Sequence, residues 1–344
     1  MIFLLLIGGT IAGSALMWSA CGRLEESTHR LALHYGIPDV VKGSVLTAVS
    51  SSIPELVTAI LALTLHGDFE LGLAAIVGSA IYNILVIPAF AVFARGKALE
   101  ANKDLVYREA QFYLVSVISL MLVLSLGVIY YGDPVIADGG RRLFRGDFTR
   151  GLALIPLALY CLYLYIQFEE VKGSRDDHPR EAGISPLKEW FGMLMAILVI
   201  VVGVEILLRV AITLGDLLQT PTFLWGMTVV AAATSLPDTF ISVRASMLGR
   251  TESSLSNALG SNVFDLLVAV PLAVLIAGSI EINFTQIVPM MGFLMVATIA
   301  MLMFMLRDME LSIREAKVMI GMYVTFGLWM ALEAFGVMNT LALY

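Results

Sequence analysis

The sequence predicts an all-α membrane protein of ten transmembrane helices, arranged as two inverted five-helix repeats. Three observations carry that prediction. First, 59% of the 344 residues are hydrophobic and only 14% are charged, where a soluble domain would carry about 25% charged residues. Second, apolar runs long enough to cross a bilayer, about 20 residues each, recur along the whole chain. Third, the stretches 41–90 and 224–273 are copies of each other. Gly43, Ser52, Pro54 and Glu55 recur 183 positions later as Gly226, Ser235, Pro237 and Asp238. Gly78, Ser79 and Asn83 recur 182 positions later as Gly260, Ser261 and Asp265.

The apolar runs fall near 2–20, 39–65, 70–94, 112–130, 151–167, 188–210, 222–248, 253–277, 286–306 and 318–342. The first reads as a spanning helix. No basic residue precedes it and no small-residue cleavage site follows, as a signal peptide requires. Bulky Trp18 argues against lipid attachment at Cys21. Cys21 and Cys161 are too few for a disulfide framework and read as reduced thiols. The two copies begin in the second and seventh runs. Five spans separate them, so they enter the membrane from opposite faces, the relation of inverted repeats. The polar segment 172–187 divides an N-terminal half, 1–171, from a C-terminal half, 188–344.

Lys and Arg in short loops set the orientation. With the N-terminus outside, the cytoplasmic loops hold Arg23, Arg30, Arg95, Lys97, Lys103, Arg108, Lys172, Arg175, Arg180, Lys188, Arg250, Arg307, Arg314 and Lys317. The outside loops hold little beyond Arg141, Arg142, Arg145 and Arg150, in a loop that also carries Asp133, Asp138 and Asp147. Both termini are then expected outside. The short linker leaves little room for a regulatory domain; with the resemblance given below, its shortness implies a prokaryotic protein of the plasma (inner) membrane. No basic patch suggests nucleic acid. Lipids and cations are the expected partners, with no obligate protein partner evident.

Each copy places polar residues at one depth. Ser51, Ser52 and Glu55 fall within one helical turn, as do Thr234, Ser235 and Asp238. Pro54 and Pro237 lack a backbone donor and clash with the carbonyl four residues earlier, which frees the carbonyls of Ser50 and Ala233. A free carbonyl in hydrocarbon is costly unless it meets protein, water or a cation. The downstream helices add Ser79 and Asn83 in one copy, and Ser261, Asn262 and Asp265 in the other. All of these groups offer oxygen. No His or Cys joins them, which disfavours zinc and copper. Calcium takes six to eight oxygens, and sodium also uses hydroxyl and carbonyl oxygen. Acids inside spans read as functional. The hydroxyls have a second reading, because Ser and Thr also bond back to helix carbonyls.

Other polar residues read as structural. Glu205 and Arg209, four apart, form an ion pair reaching the interface, and Arg244 snorkels. Glu333 has no account at this level. The 18 methionines look like core filling. His29, His34, His66 and His178 lie in or beside loops and read as neither ligands nor proton relays.

At SSIPE with GSAIYN, and at TSLPD with GSNVFD, the chain resembles the calcium/cation antiporter superfamily, the sodium/calcium exchangers. The resemblance implies a transporter rather than an enzyme, exchanging sodium for calcium by alternating access, with metal ions as cargo and no cofactor. It implies that Glu55 and Asp238 are the two central acids. Ser51, Ser52, Thr234 and Ser235 then line the ion sites, Ser79 and Ser261 are the downstream serines, and Asn83 and Asp265 are a further polar pair. Ser50 and Ala233 stand where a glycine is usual, and Ala80 replaces a common asparagine. GSAIYNIL with SNVFDLL resembles the potassium-dependent branch, so potassium joins the candidate cargo. Spans one and six would switch access, with Gly8, Gly9 and Gly13 allowing close helix contact.

Three rivals stand beside this reading. A cation/proton antiporter of the same superfamily also uses two acids, but its Gly-Asn-x-x-Glu pattern is absent and the Ser/Thr-Ser pairs favour sodium. An intramembrane aspartyl protease needs a Gly-x-Gly-Asp motif that is missing. A channel suits a continuous pore rather than inverted repeats.

Overall fold

The computed structural model describes residues 1–36, 46–103, 105–136, 142–173, 183–338 and 340–341. Gly43 and the start of the first motif copy lie outside the described residues. So do Asp138, Arg141, and linker positions 174–182 with Arg175, His178 and Arg180.

The chain is all-α in its membrane portion. In order, the helices are α1 (Ile2–Tyr35), α2 (Ala48–Ser51), α3 (Ile53–Thr64) and α4 (Phe69–Arg95). There follow α5 (Leu105–Tyr131), α6 (Arg150–Gly173), α7 (Pro186–Leu218), α8 (Thr222–Thr234) and α9 (Leu236–Met247). The last three are α10 (Thr251–Ala277), α11 (Phe284–Asp308) and α12 (Ile313–Ala334). Among the described residues seven helices are long and apolar enough to cross a membrane, or eight if the α8–α9 pair, bent by 42°, is one span. The expected span 39–65 is represented by α2 and α3, and 318–342 by α12.

Both motif copies break where their prolines direct. Helix geometry lapses at Ser52, and Pro54 sits in the first turn of α3. The second copy repeats this at Ser235, with Pro237 in the first turn of α9.

Several helices outrun the expected spans, α1 and α7 by the most. α1 continues to Tyr35 because Glu26 pairs with Arg30 at 2.6 Å and Arg23 at 3.5 Å, so charges that read as loop instead line a helix. It stops at Gly36, whose φ of 67° suits only glycine without strain. α7 is one residue shorter and runs beside α1. A Cβ on Gly13 would lie 3.0 Å from the Gly203 carbonyl, so the backbones touch. Buried Glu189 of α7 accepts from Ser27 at 2.9 Å and pairs with Arg30 at 3.5 Å, clasping the two helices together.

The centre is α4 and α10, which are almost wholly buried. α8 lies against α4 at Gly78, where a Cβ would collide with the Met227 carbonyl and stand 2.8 Å from Ala231 Cβ. Short strands add a feature the sequence reading lacked. β1 (Leu99–Glu100) pairs antiparallel with β5 (Glu310–Leu311). β3 (Arg142–Phe148) pairs with both β2 (Asp133–Ile136) and β4 (Ile280–Asn283). Each pairing of β1 with β5, and of β3 with β4, joins a loop of one half to a loop of the other. The Arg-rich loop is therefore part of a small sheet, where Arg145 pairs with Glu281 at 2.9 Å.

Candidate ion-binding site

Around the breaks at Ser52 and Ser235, side chains of α2, α3, α8 and α9 meet those of α4 and α10. Ser79 of α4 donates to Glu55 Oε1 at 3.2 Å, and its hydroxyl also lies 2.7 Å from that of Ser235. One turn further on, Asn83 Nδ2 donates to Asp238 Oδ2 at 3.4 Å and to Asn262 Oδ1 at 3.1 Å. One face of α4 thus touches both acids, as positions four apart on a helix allow. From α10, the Ser261 hydroxyl lies 3.2 Å from that of Ser51, and its carbonyl accepts from Ser52 at 3.4 Å. Thr234 reaches the Glu55 carboxylate, and Ser51 and Ser261 reach that of Asp238. Asp265 faces the charges of both acids, with Ser52 beside it.

All ten sequence-predicted residues therefore meet in one cluster, each 3% exposed or less. Several oxygens are left over. Glu55 Oε2, Asn83 Oδ1 and both carboxylate oxygens of Asp265 are buried without a hydrogen-bond partner among the described residues. An unpaired buried carboxylate is strongly unfavourable, so the arrangement suits a bound cation. Among the described residues no three His, Cys, Asp and Glu side chains converge on one metal position. The oxygen set is mixed instead: carboxylate, hydroxyl and amide, the chemistry of hard cations.

Some hydroxyls follow their structural reading as well. Ser51 bonds back to Ala48 at 3.1 Å and Thr234 to Ala231 at 3.2 Å, so each serves its helix and faces the cluster. Two residues escaped the sequence reading. Asn257 donates to Asp238 Oδ1 at 3.4 Å and to Ser242 Oγ at 3.2 Å. Their repeat mates are Ala75 and Ala59, so comparison of the copies gave no signal. The helical spacing of Asn257 from Ser261 was the available clue.

Beside the cluster a cleft of about 660 Å³ runs between α1 and α9, with Cys21, Glu25, Pro237 and Arg244 in its walls. Trp18 and Phe240, also in those walls, stack across it at 4.2 Å between ring centroids. Elsewhere, Glu205 pairs with Arg209 at 2.6 Å and also meets His66 of the α3–α4 turn at 2.9 Å. Buried Glu333 accepts from Trp329 at 3.1 Å and from the backbone N–H of Thr340 at 2.9 Å. Its role is to hold the turn after α12.

A model of the family described as "Sodium/calcium exchanger protein" matches residues 5–169 and 188–332. The chain belongs to the sodium/calcium exchanger family. It is thus a multi-pass integral membrane transporter of the calcium/cation antiporter superfamily, not an enzyme. Within the family it is 26% identical over 272 residues to the inner membrane protein YrbG of Escherichia coli, covering 77% of this chain and 78% of that one. It is 22% identical over 329 residues to the sodium/calcium exchanger MaX1 of Methanosarcina acetivorans, covering 88% and 91%. A solved structure of the sodium-calcium exchanger NCX_Mj shares the fold, with TM-score 0.62 and 19% identity over 93% of this chain and 97% of the other.

Proposed function

We propose that the chain exchanges sodium for calcium across its membrane by alternating access, with calcium held jointly by Glu55 and Asp238. The observation that carries this reading is the buried oxygen cluster itself. Two carboxylates touch the same face of α4, and four of the cluster's oxygens have no partner among the described residues. Ser51, Ser52, Ser79, Asn83, Thr234, Ser235, Ser261 and Asp265 complete overlapping cages for calcium and sodium. No bond is made or broken. Sodium displaces calcium by competing for the same oxygens. An empty site leaves its acids uncompensated in an apolar core, which disfavours crossing without cargo.

The reading includes ten spans in two inverted halves, 1–171 and 188–344, with both termini outside the plasma (inner) membrane. The strand pairings support it. β1 and β4 lie in equivalent loops of the two halves, and so do β3 and β5. The pairs β1–β5 and β3–β4 thus exchange under a two-fold in the membrane plane. The cleft then opens on the cytoplasmic side, and α1 with α7 forms the element that moves.

Potassium co-transport is a second reading. A 53-residue stretch is 45% identical to the human sodium/potassium/calcium exchanger 5, and Asp265 supplies the extra charge such a cation needs. The test is calcium flux in proteoliposomes with sodium, potassium and proton gradients imposed one at a time. A sodium gradient is expected to drive calcium uptake at fixed pH. Flux that follows only the proton gradient would replace the reading with cation/proton antiport.

A further inference from the structure

The cleft between α1 and α9 holds an acid outside both motif copies. Glu25 lies in its wall, as do His29, Arg244 and Arg250. We propose that Glu25 recruits the cargo cation into the cleft and passes it toward Asp238. The inference rests on the exchange reading and adds to it a residue that sets affinity from one membrane face only.

The neighbouring acids show why Glu25 differs. Glu26 is paired with Arg23 and Arg30. Glu189 is held by Ser27 and Arg30. Glu25 is half-buried and, among the described residues, makes no hydrogen bond or ion pair. A half-buried carboxylate with no partner is free to serve a mobile one. Cys21, one turn earlier on α1, is buried in the same cleft wall. Pro237 stands in the wall of the same cleft and directly precedes Asp238, so the cleft that holds Glu25 reaches the residue beside the second acid. Arg244 and Arg250 stand in the same wall. Their charges oppose a cation in the cleft, and Glu25 offsets them in part.

Calcium flux measured from each face, in right-side-out and inside-out vesicles, tests the proposal. Glu25→Gln is expected to raise the half-saturating calcium concentration at the cleft face about tenfold. The maximal rate and the half-saturation at the opposite face should stay unchanged. Glu25→Asp should restore the affinity, and Arg244→Gln should shift it the other way. The Glu25→Gln effect should shrink at high ionic strength. An unchanged half-saturation at the cleft face, or an equal rise at both faces, overturns the proposal while leaving the exchange reading intact. Absence of sodium-driven flux in the unmodified protein overturns that reading first, and this one with it.

Discussion

The two motif copies share their polar spine and differ in everything packed around it. In the first copy Glu55 accepts from Ser79 and keeps Oε2 without a partner. In the second, both oxygens of Asp238 are engaged, by Asn257 and by Asn83. The flanks differ too. Behind Glu55, Gly72 lies on small residues, where a Cβ would stand 3.0 Å from Ala62 Cβ. There α7 closes on α3 through Ile53, Val57 and Leu61. Behind Asp238, α1 stands off from α9 and leaves the 660 Å³ cleft, bridged by the Trp18–Phe240 stack. One duplicated sequence thus produces a shut flank and an open one. The lesson is that the site is common property while the flanks are not. Under the exchange reading they are two positions of a single switch, which trade roles as the α1–α7 pair shifts.

Neutralising either acid should have the largest effect. Glu55→Gln, and separately Asp238→Asn, should each cut calcium uptake into sodium-loaded vesicles by about a hundredfold or more, the scale of losing a buried charged partner. Retained uptake in one of them would show that the copies are not functional equals. Asp265→Asn makes the second copy match Asn83 of the first. It should raise the half-saturating concentration of the coupling monovalent cation about tenfold, read from flux at graded sodium and potassium. Asn257→Ala removes the clamp that only Asp238 has. Loss of one such hydrogen bond, about 1 kcal/mol, should weaken calcium about fivefold in equilibrium binding. An equal weakening from changes at Ala75 would erase the asymmetry. Arg145→Gln breaks an exposed pair with Glu281, and thermal unfolding in detergent should move by less than about 1 kcal/mol.

Much of the site was legible because duplication marks residues that propensity cannot. Ser79 and Ser261 look ordinary until seen 182 positions apart beside matching glycines. The same device hides what is unpaired. Asn257 and Ser242 face alanines in the other copy and passed unnoticed. Helix limits were legible in the core and wrong outside it, since the overhang of α1 is held by charge pairs that hydropathy reads as loop. The strands were invisible. Pairs as short as Leu99–Glu100 with Glu310–Leu311 show no alternation, and their partners lie some two hundred residues away. Glu333 resisted explanation for a similar reason: besides Trp329, its donors include the backbone N–H groups of Thr340 and Leu341, which fold back only after α12 ends.

Those strand pairings bear on how the molecule is made. During synthesis β1 stays an open edge until residues 310–311 emerge, and β3 lacks its β4 neighbour until residues 280–283 do. Unpaired edges invite wrong partners. Each half, expressed by itself, would therefore display a ribbon intended for the other. Co-expressed fragments should assemble better than fragments mixed after purification, because every stitch between the halves is tied late.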